Sequence, residues 1–197
     1  MKHRFPSITL GLPEWMDDSV PHGGVTLTSA DARMEFVIML SKRNVEEGTG
    51  GPFGAAIFER DSGRLIAPGV NRVVPASCSV AHAEMMAIMV AQQVLGVFDL
   101  GGEGLPACEL VTTTEPCAMC LGAIPWSGVR RLVCGARKED AEAHGFDEGD
   151  RVVRWVDALA GRGIDVIQDV RREEAAEVLR QYNAMGGLMY NGRLGDG

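Results

Sequence analysis

The chain has 197 residues, of which 46% are hydrophobic and 23% are charged, a composition typical of folded globular proteins and not of disordered ones. Its 19 basic and 27 acidic residues give a formal charge of −8, which argues against a general nucleic-acid-binding surface. This length is sufficient for one domain with a full hydrophobic core.

The N-terminus and the cysteines bear on the cellular compartment. The first residues, MKHRFPSITLGLPEWMDD, contain no apolar segment long enough for a signal peptide. No stretch approaches the roughly 18 apolar residues of a membrane span. Five cysteines, an odd number without a secretory signal, are typical of reduced thiols. We therefore predict a cytoplasmic protein.

The first half of the chain predicts an irregular segment, a helix and a hairpin. Residues 1–28 are rich in proline and glycine, so we predict an irregular lead-in packed on the domain. Ser29 can cap a helix that runs to about Val45, because apolar residues recur there near helical spacing. Residues 53–59 predict a strand, and residues 65–74 predict a second strand after a tight turn, so the two form a hairpin.

The second half alternates strands and helices. A helix over residues 81–95 is apolar nearly all round, which predicts that it is buried. Further strands are predicted at 109–113, 131–135 and 164–170, and further helices at 117–124, 152–159 and 172–182. The connection between the last two strands is long enough for a crossover between parallel strands. We predict an α/β fold, a three-layer α/β/α sandwich with a mixed five-stranded sheet.

Two short segments carry the residues of a candidate metal site. Cys117 and Cys120 are three residues apart at a predicted helix start, so both sulfurs face one way, and His82 offers a third ligand. Three protein ligands leave tetrahedral Zn²⁺ one open position, as in catalytic sites. Glu84, two residues after the histidine, is then free to transfer protons. The sequence therefore predicts a catalytic zinc site.

Other interpretations of these residues remain open at this point. A Cys-x-x-Cys pair alone is also found in redox sites and in structural zinc sites. A structural site requires a fourth ligand, and the remaining cysteines and histidines are scattered without a second paired spacing. A zinc-bound scaffold protein, with four protein ligands and no open position, is the non-enzymatic alternative.

Residues 30–185 resemble the cytidine deaminase superfamily. The pattern His-x-Glu followed by Pro-Cys-x-x-Cys is the signature of zinc deaminases. The chain is most similar to the bacterial guanine deaminase branch, including the form that also accepts the aminotriazine ammeline. The segments that carry this resemblance are GGPFGAAIFERDSG, GVNRVVP, AHAE, TTTEPCAMCLGAIPWSGVRRLVCGA, GFDEGD and YNAMGGLMYNGR.

The resemblance implies a cofactor, a reaction and a set of site residues. Zn²⁺ is bound by His82, Cys117 and Cys120, and Glu84 transfers protons. Glu148 is a second catalytic carboxylate near the leaving amino group, with Asp147 as the alternative. The implied substrate-binding residues are Asn71 on the ring edge, Phe53 stacked on the base, Ala83, Trp126 as an aromatic wall, and Tyr190.

The resemblance also implies an organisation and an assembly. We predict a lead-in over 1–28, a zinc-dependent deaminase domain over 29–185, and a tail over 186–197 that closes the active site from its own or the partner subunit. A homodimer is expected. The expected partner is a small molecule, with no membrane, and nucleic acid is disfavoured by the charge of −8.

The expected reaction is the hydrolytic deamination of a free amino-purine, guanine to xanthine plus ammonia. The alternatives are other small amino-heterocycles, namely ammeline or another aminotriazine, guanosine, a pterin or cytosine, because the sequence does not show the pocket shape that selects among them. Deamination of adenosine in tRNA requires a basic, aromatic-lined groove and an extruded base, which the acidic composition disfavours.

Overall fold

A computed structural model gives the structure of the chain, and it describes residue 5, residues 7–21 and residues 24–191. The described residues form seven helices and five strands. The helices are α1 (Trp15–Ser19), α2 (Ala30–Glu46), α3 (Ala83–Leu95), α4 (Ala118–Ser127), α5 (Lys138–Glu142), α6 (Trp155–Ala160) and α7 (Arg172–Ala184). The strands are β1 (Gly54–Glu59), β2 (Leu65–Val70), β3 (Cys108–Thr114), β4 (Arg131–Ala136) and β5 (Asp165–Ile167).

The five strands form one mixed sheet in the order β2-β1-β3-β4-β5. β1 pairs antiparallel with both β2 and β3, while β3, β4 and β5 run parallel to one another. The hairpin and the parallel crossover predicted from the sequence are both confirmed. Parallel neighbours bring the carboxyl ends of β3, β4 and β5 to one edge of the sheet, where ligand sites of α/β proteins form.

Hydrophobic side chains cover both faces of the sheet, which makes the domain three layers thick. Alternate residues of β1 point to opposite faces, so Phe58 packs with α2 while Ile57 packs with α3. Both side chains are fully buried. The predicted α/β/α sandwich with a mixed five-stranded sheet is therefore confirmed.

Local signals explain where the hairpin and α2 begin. Ser29 has extended backbone angles, and its hydroxyl accepts a hydrogen bond from the backbone N–H of Ala32 at 3.1 Å, so it caps α2 as predicted. Gly63 closes the β1–β2 turn at φ +76°, and a Cβ there would lie 2.1 Å from the carbonyl oxygen of Leu27. No side chain fits at that position, which fixes a glycine in the turn.

Several boundaries differ from the sequence predictions. The described part of the lead-in is not wholly irregular, because it contains α1, whose Trp15 is buried; residues 1–4, 6, 22 and 23 lie outside the described residues. β2 ends at Val70, four residues earlier than predicted, because the chain turns where Ala76 N–H bonds to the carbonyl of Arg72 at 3.0 Å. β5 has three residues instead of seven.

α3 is not buried all round as its composition predicted. Met86 and Ile88 are buried, but Val94 is 63% exposed. In the described residues no helix combines the length and the apolar character that crossing a membrane requires. The exposed Val94 leaves apolar surface on the open side of α3 in the single chain.

Candidate active site

Two helix N-termini bring the three predicted metal ligands together. His82 is the residue that precedes α3, and Cys117 is the residue that precedes α4. The Nδ1 atom of His82 lies 3.5 Å from the sulfur of Cys117. The ligand atoms of His82, Cys117 and Cys120 all lie within 4.8 Å of one another, so they could hold one metal ion. The fold thus assembles a His-Cys-Cys cluster from segments 35 residues apart.

The two thiols of this cluster are electrostatically coupled. A hydrogen bond from the Cys120 thiol, together with one from His82, lowers the pKa of Cys117 to about 4. The same interaction, with burial, raises the pKa of Cys120. A divalent metal bound to the cluster would favour the thiolate form of both sulfurs. This donor set, with Cys120 fully buried, fits Zn²⁺.

Two buried carboxylates face the cavity beside the cluster. Glu84 lies in the first turn of α3 and is 6% exposed, and Glu148 has the same exposure. Burial, reinforced by the nearby Cys117 thiolate, raises the pKa of Glu84 to about 7. Burial and the charges of Cys117 and Glu84 raise the pKa of Glu148 to about 8. Both carboxylates can therefore change protonation state near neutral pH, as acid–base groups require.

The two acidic neighbours in the loop after α5 have different environments. Glu148 is buried, whereas Asp147 is exposed although it also borders the cavity. A carboxylate oxygen of Asp147 accepts a hydrogen bond from the N–H of Gly149 at 2.9 Å. The backbone N–H of Asp147 donates to the side-chain oxygen of Asn191 at 3.0 Å. The loop geometry turns Glu148 inward and leaves Asp147 to structure the turn.

A cavity of about 160 Å³ lies next to the His-Cys-Cys cluster. Its lining contains nearly all the site residues predicted from the sequence. These are Phe53, Asn71, His82, Ala83, Glu84, Cys117, Asp147, Glu148 and Tyr190. Cys120 lies behind the lining, where it belongs to the cluster alone. The roles assigned to these residues remain predictions, but their convergence on one cavity is a property of the fold.

The exception is Trp126. The prediction that it forms an aromatic wall of the cavity is corrected by the structure. It lies in α4 with 85% of its surface exposed and is not among the residues that line the cavity. Each helical residue advances by about 100°, so Trp126 lies about 200° around the helix from the buried Ile124. The helix that carries the cysteines inward therefore turns Trp126 outward.

The aromatic wall of the cavity is instead built around Phe146. Its ring meets Phe53 edge-to-face at 4.8 Å between centroids and Tyr190 at 6.1 Å. Sequence reasoning missed Phe146, although it lies in the GFDEGD segment next to the predicted acidic residues. A large aromatic residue beside a predicted site was the signal that could have identified it.

Three buried polar groups of the cavity lining have no hydrogen-bond partner among the described residues. They are the Nδ2 of Asn71, the hydroxyl of Thr114 and the hydroxyl of Tyr190. Buried polar groups without partners are costly and therefore mark places where a ligand binds. Asn71 is held rigidly, because its Oδ1 accepts from Val73 N–H at 3.2 Å and its carbonyl accepts from Asn44 at 2.9 Å. Sequence reasoning did not identify Thr114.

The C-terminal segment reaches the cavity of its own chain. Asn191 donates from its side chain to the carbonyl of Gly145 at 2.7 Å, and Tyr182 donates from its hydroxyl to the carbonyl of Leu188 at 2.9 Å. Gly51 provides the space, because a Cβ there would lie 2.7 Å from the hydroxyl of Tyr190. Residues 192–197 of the predicted tail lie outside the described residues.

Known proteins match both the sequence and this architecture. The cytidine and deoxycytidylate deaminase zinc-binding region matches residues 28–136. The chain belongs to this family of zinc-binding deaminases. A curated relative, the guanine deaminase of Bacillus subtilis strain 168, is 41% identical over 111 residues, which are 56% of this chain and 67% of that protein.

Solved structures extend the similarity to almost the whole chain. The guanine deaminase of Nitrosomonas europaea is 50% identical to this chain and superposes with a TM-score of 0.87. The match covers 92% of this chain and 99% of that protein's chain. A structure of the protein NE0047 in complex with 2,6-diaminopurine is 51% identical and covers 94% of this chain and 97% of its own, with a TM-score of 0.88. The chain is thus similar in sequence and fold to guanine deaminases.

Proposed function

We propose that this protein is a zinc-dependent guanine deaminase that converts guanine and water to xanthine and ammonia. The observation that carries the proposal is the pair of buried carboxylates, Glu84 and Glu148, which face one cavity beside the His-Cys-Cys cluster. Similarity to the guanine deaminase of Nitrosomonas europaea over 92% of the chain supports the choice of guanine.

The metal is Zn²⁺, and His82, Cys117 and Cys120 would hold it. A zinc ion with three such ligands supplies a Lewis acid that activates water at neutral pH. The positive ends of α3 and α4, which begin at Ala83 and Ala118, stabilise negative charge at the cluster. The chemistry of the donor set and the family both support this metal.

The two carboxylates divide the proton transfers of the reaction. The oxygen of water forms a bond to the ring carbon that carries the amino group, and the bond from that carbon to the amino nitrogen breaks. Glu84 takes one proton from water and passes it to a ring nitrogen, and it then transfers the second proton, from the hydroxyl now bonded to the ring carbon, to the leaving amine. Glu148, whose pKa is raised to about 8 by burial, is the second acid–base group and lies beside the leaving amino group.

The walls of the cavity select a flat heterocycle. Phe53 stacks on the base, and Ala83 lies beneath it at the N-terminus of α3. Asn71 and Tyr190 each present a buried polar group without a partner among the described residues, and the substrate's ring edge supplies those partners. Burial raises the pKa of Tyr190 well above its usual range, so its hydroxyl stays neutral and donates. Tyr190 and Asn191 of the tail border the cavity of their own chain.

Replacing Asn71 by alanine is expected to lower kcat/KM for guanine by about 10- to 100-fold, because a directed hydrogen bond to the ring edge is lost. Steady-state kinetics measure the effect. Asn183, an exposed asparagine of α7, provides the control, and Asn183→Ala is expected to leave the kinetics unchanged. A twofold or smaller effect of Asn71→Ala would remove Asn71 from the substrate contacts.

A homodimer accounts for the apolar surface beside the site. Trp126 is 85% exposed and Phe98 is 87% exposed. They lie in neighbouring segments, because Leu100 N–H donates to the carbonyl of Ser127 at 2.9 Å. With the open side of α3, these residues present apolar surface of the kind that marks protein interfaces. The second subunit is the occupant that the family resemblance supports.

The variant Trp126→Glu is expected to shift the protein from dimer to monomer, because it places a charge in an apolar interface. Sedimentation or light scattering measures the mass. Val153, which is 95% exposed in the segment before α6, gives a matched control, since Val153→Glu adds the same charge elsewhere. A dimeric Trp126→Glu protein, or a monomeric wild type, would refute this interface.

Ammonia release from a panel of amino-heterocycles tests the proposed function. Guanine, guanosine, cytosine, ammeline and adenosine in tRNA are compared at the same enzyme concentration. Guanine is expected to give the highest kcat/KM. A higher value for ammeline would retain the proposed deaminase chemistry but change the proposed substrate, and no ammonia release from any compound would refute the proposed deaminase activity.

The cytoplasmic location expected from the cysteines remains a prediction.

A further inference from the structure

Glu115 joins the carboxyl ends of the three parallel strands. It follows β3 directly and is 4% exposed. Its Oε1 accepts from the side-chain amide of Gln168 at 2.5 Å, just after β5. Its Oε2 accepts from the guanidinium of Arg151 at 2.8 Å and from the backbone N–H of Lys138, just after β4, at 3.2 Å. All three bonds lie at the edge of the sheet where the candidate active site forms.

Arg151 connects this carboxylate to the metal-binding segment. One of its terminal nitrogens donates to Glu115, while the other donates to the carbonyl of Pro116 at 3.2 Å, one residue before Cys117. The guanidinium also lies 5.3 Å from the ring centroid of Trp155. The Arg151 and Glu115 side chains are 8% and 4% exposed, so this ion pair is shielded from water. A planar guanidinium with several fixed donors can make both bonds at once.

The same segment carries Glu148, three residues before Arg151. The carbonyl of Glu148 accepts from the backbone N–H of Ala118 at 2.9 Å, next to Cys117. The carbonyl of Gly149 accepts from the ammonium of Lys138 at 2.9 Å. Two hydrogen bonds therefore connect the loop that carries Glu148 to the metal-binding segment. One is the backbone bond from Ala118 to Glu148, and the other is the bond from the Arg151 guanidinium to Pro116.

We propose that Arg151, anchored by Glu115, is a positioning residue that holds the Glu148 carboxylate in place relative to the metal ligands. This inference rests on the proposed deaminase function. Glu115 also borders the cavity, but its two oxygens already accept three hydrogen bonds, so it acts through Arg151 and not on the substrate. A small displacement of a reacting group is sufficient to slow an enzymatic reaction by up to about 100-fold.

The first experiment replaces Arg151 in the zinc-loaded enzyme. Arg151→Met is expected to lower kcat for guanine by about 10- to 100-fold with little change in KM or zinc content. Arg151→Lys is expected to recover part of the loss, because an ammonium still pairs with Glu115 but cannot also reach Pro116 in the same geometry. An unchanged kcat in Arg151→Met would overturn the proposal.

A double-mutant cycle distinguishes positioning from a general effect on the fold. If Arg151 acts through Glu148, then adding Arg151→Met to Glu148→Gln is expected to cause less than about a twofold further loss of kcat. Losses that multiply would show that Arg151 acts independently of Glu148 and would refute its positioning role.

The control breaks another buried ion pair, at the opposite end of β3 from Glu115. Arg33 pairs with Glu109 near the start of β3, about 20 Å from Glu115 along the strand, and both side chains are at most 5% exposed. Arg33→Met is expected to lower the melting temperature but leave kcat of the folded enzyme unchanged. An equal loss of kcat in this variant would mean that both pairs act through stability alone.

Two further measurements keep the proposal testable if the simplest variant fails. Should Arg151→Met not fold, the variant Glu115→Gln/Arg151→Met removes both buried charges and is expected to show the same loss of kcat. If the wild-type enzyme does not act on guanine, the proposed function fails, and a crystal structure of Arg151→Met tests the inference by itself. A Glu148 carboxylate that stays in its wild-type position would overturn it.

Discussion

Replacing Glu84 by glutamine is expected to lower kcat for guanine by about 100- to 10,000-fold while zinc stays bound. Glu84 is 6% exposed and lies at the start of α3, two residues from His82. Glutamine has nearly the same shape but neither accepts nor releases a proton at neutral pH. The reaction needs the same group to take a proton from water and to deliver it to the ring and to the leaving amine. The loss therefore appears in kcat and not only in KM.

Metal analysis and kinetics on the same sample check this prediction. Glu139→Gln, which makes the same change at an exposed position of α5, is the matched control and is expected to retain wild-type kinetics. If Glu84→Gln loses zinc together with activity, the carboxylate serves the metal site instead of proton transfer. If it retains both, Glu148 is left as the acid–base group and the assignment of Glu84 is wrong.

Most helices and strands could be predicted from the sequence, because the signals that start an element and the spacing of its apolar residues lie within that element. The Ser29 cap and the spacing of apolar residues located α2 to within one residue. The end of β2 was missed because Val73 and Val74 continue an apolar pattern, while the turn that stops the strand depends on a bond from Arg72 N–H to the carbonyl of Ala81 at 2.8 Å. A contact between segments is not visible in a local pattern.

In the candidate site, too, the residues that follow from local patterns were predicted, whereas those placed by contacts between segments were missed or misplaced. Motif spacing and family resemblance predicted the three candidate ligands and Glu84, which the fold places at two helix starts. Trp126 was misplaced because the direction of a side chain on a helix depends on which face packs against the sheet. Thr114 and Phe146 were missed because their place in the lining depends on how the end of β3 and the loop after α5 meet.

Removing the metal is expected to abolish deamination and to lower the melting temperature, and adding Zn²⁺ is expected to restore both. Ligand binding stabilises the folded state by about 4 kcal/mol when the free ligand is 1,000-fold above its Kd. Zn²⁺ would stabilise the thiolate form of both Cys117 and Cys120, which lie within one cluster with His82. Dialysis against a chelator, followed by metal analysis, calorimetry and the guanine assay, measures these effects.

Cysteine variants separate a catalytic zinc site from a structural one. Cys120→Ser is expected to lose zinc and activity, because the fully buried Cys120 sulfur is one of the three candidate ligands in the cluster formed by the described residues. Cys78→Ser alters a half-buried thiol outside this cluster and is expected to retain both. If Cys78→Ser loses zinc as readily as Cys120→Ser, the metal has a fourth protein ligand. No position is then open for the reacting water, and the deaminase mechanism fails together with its metal site.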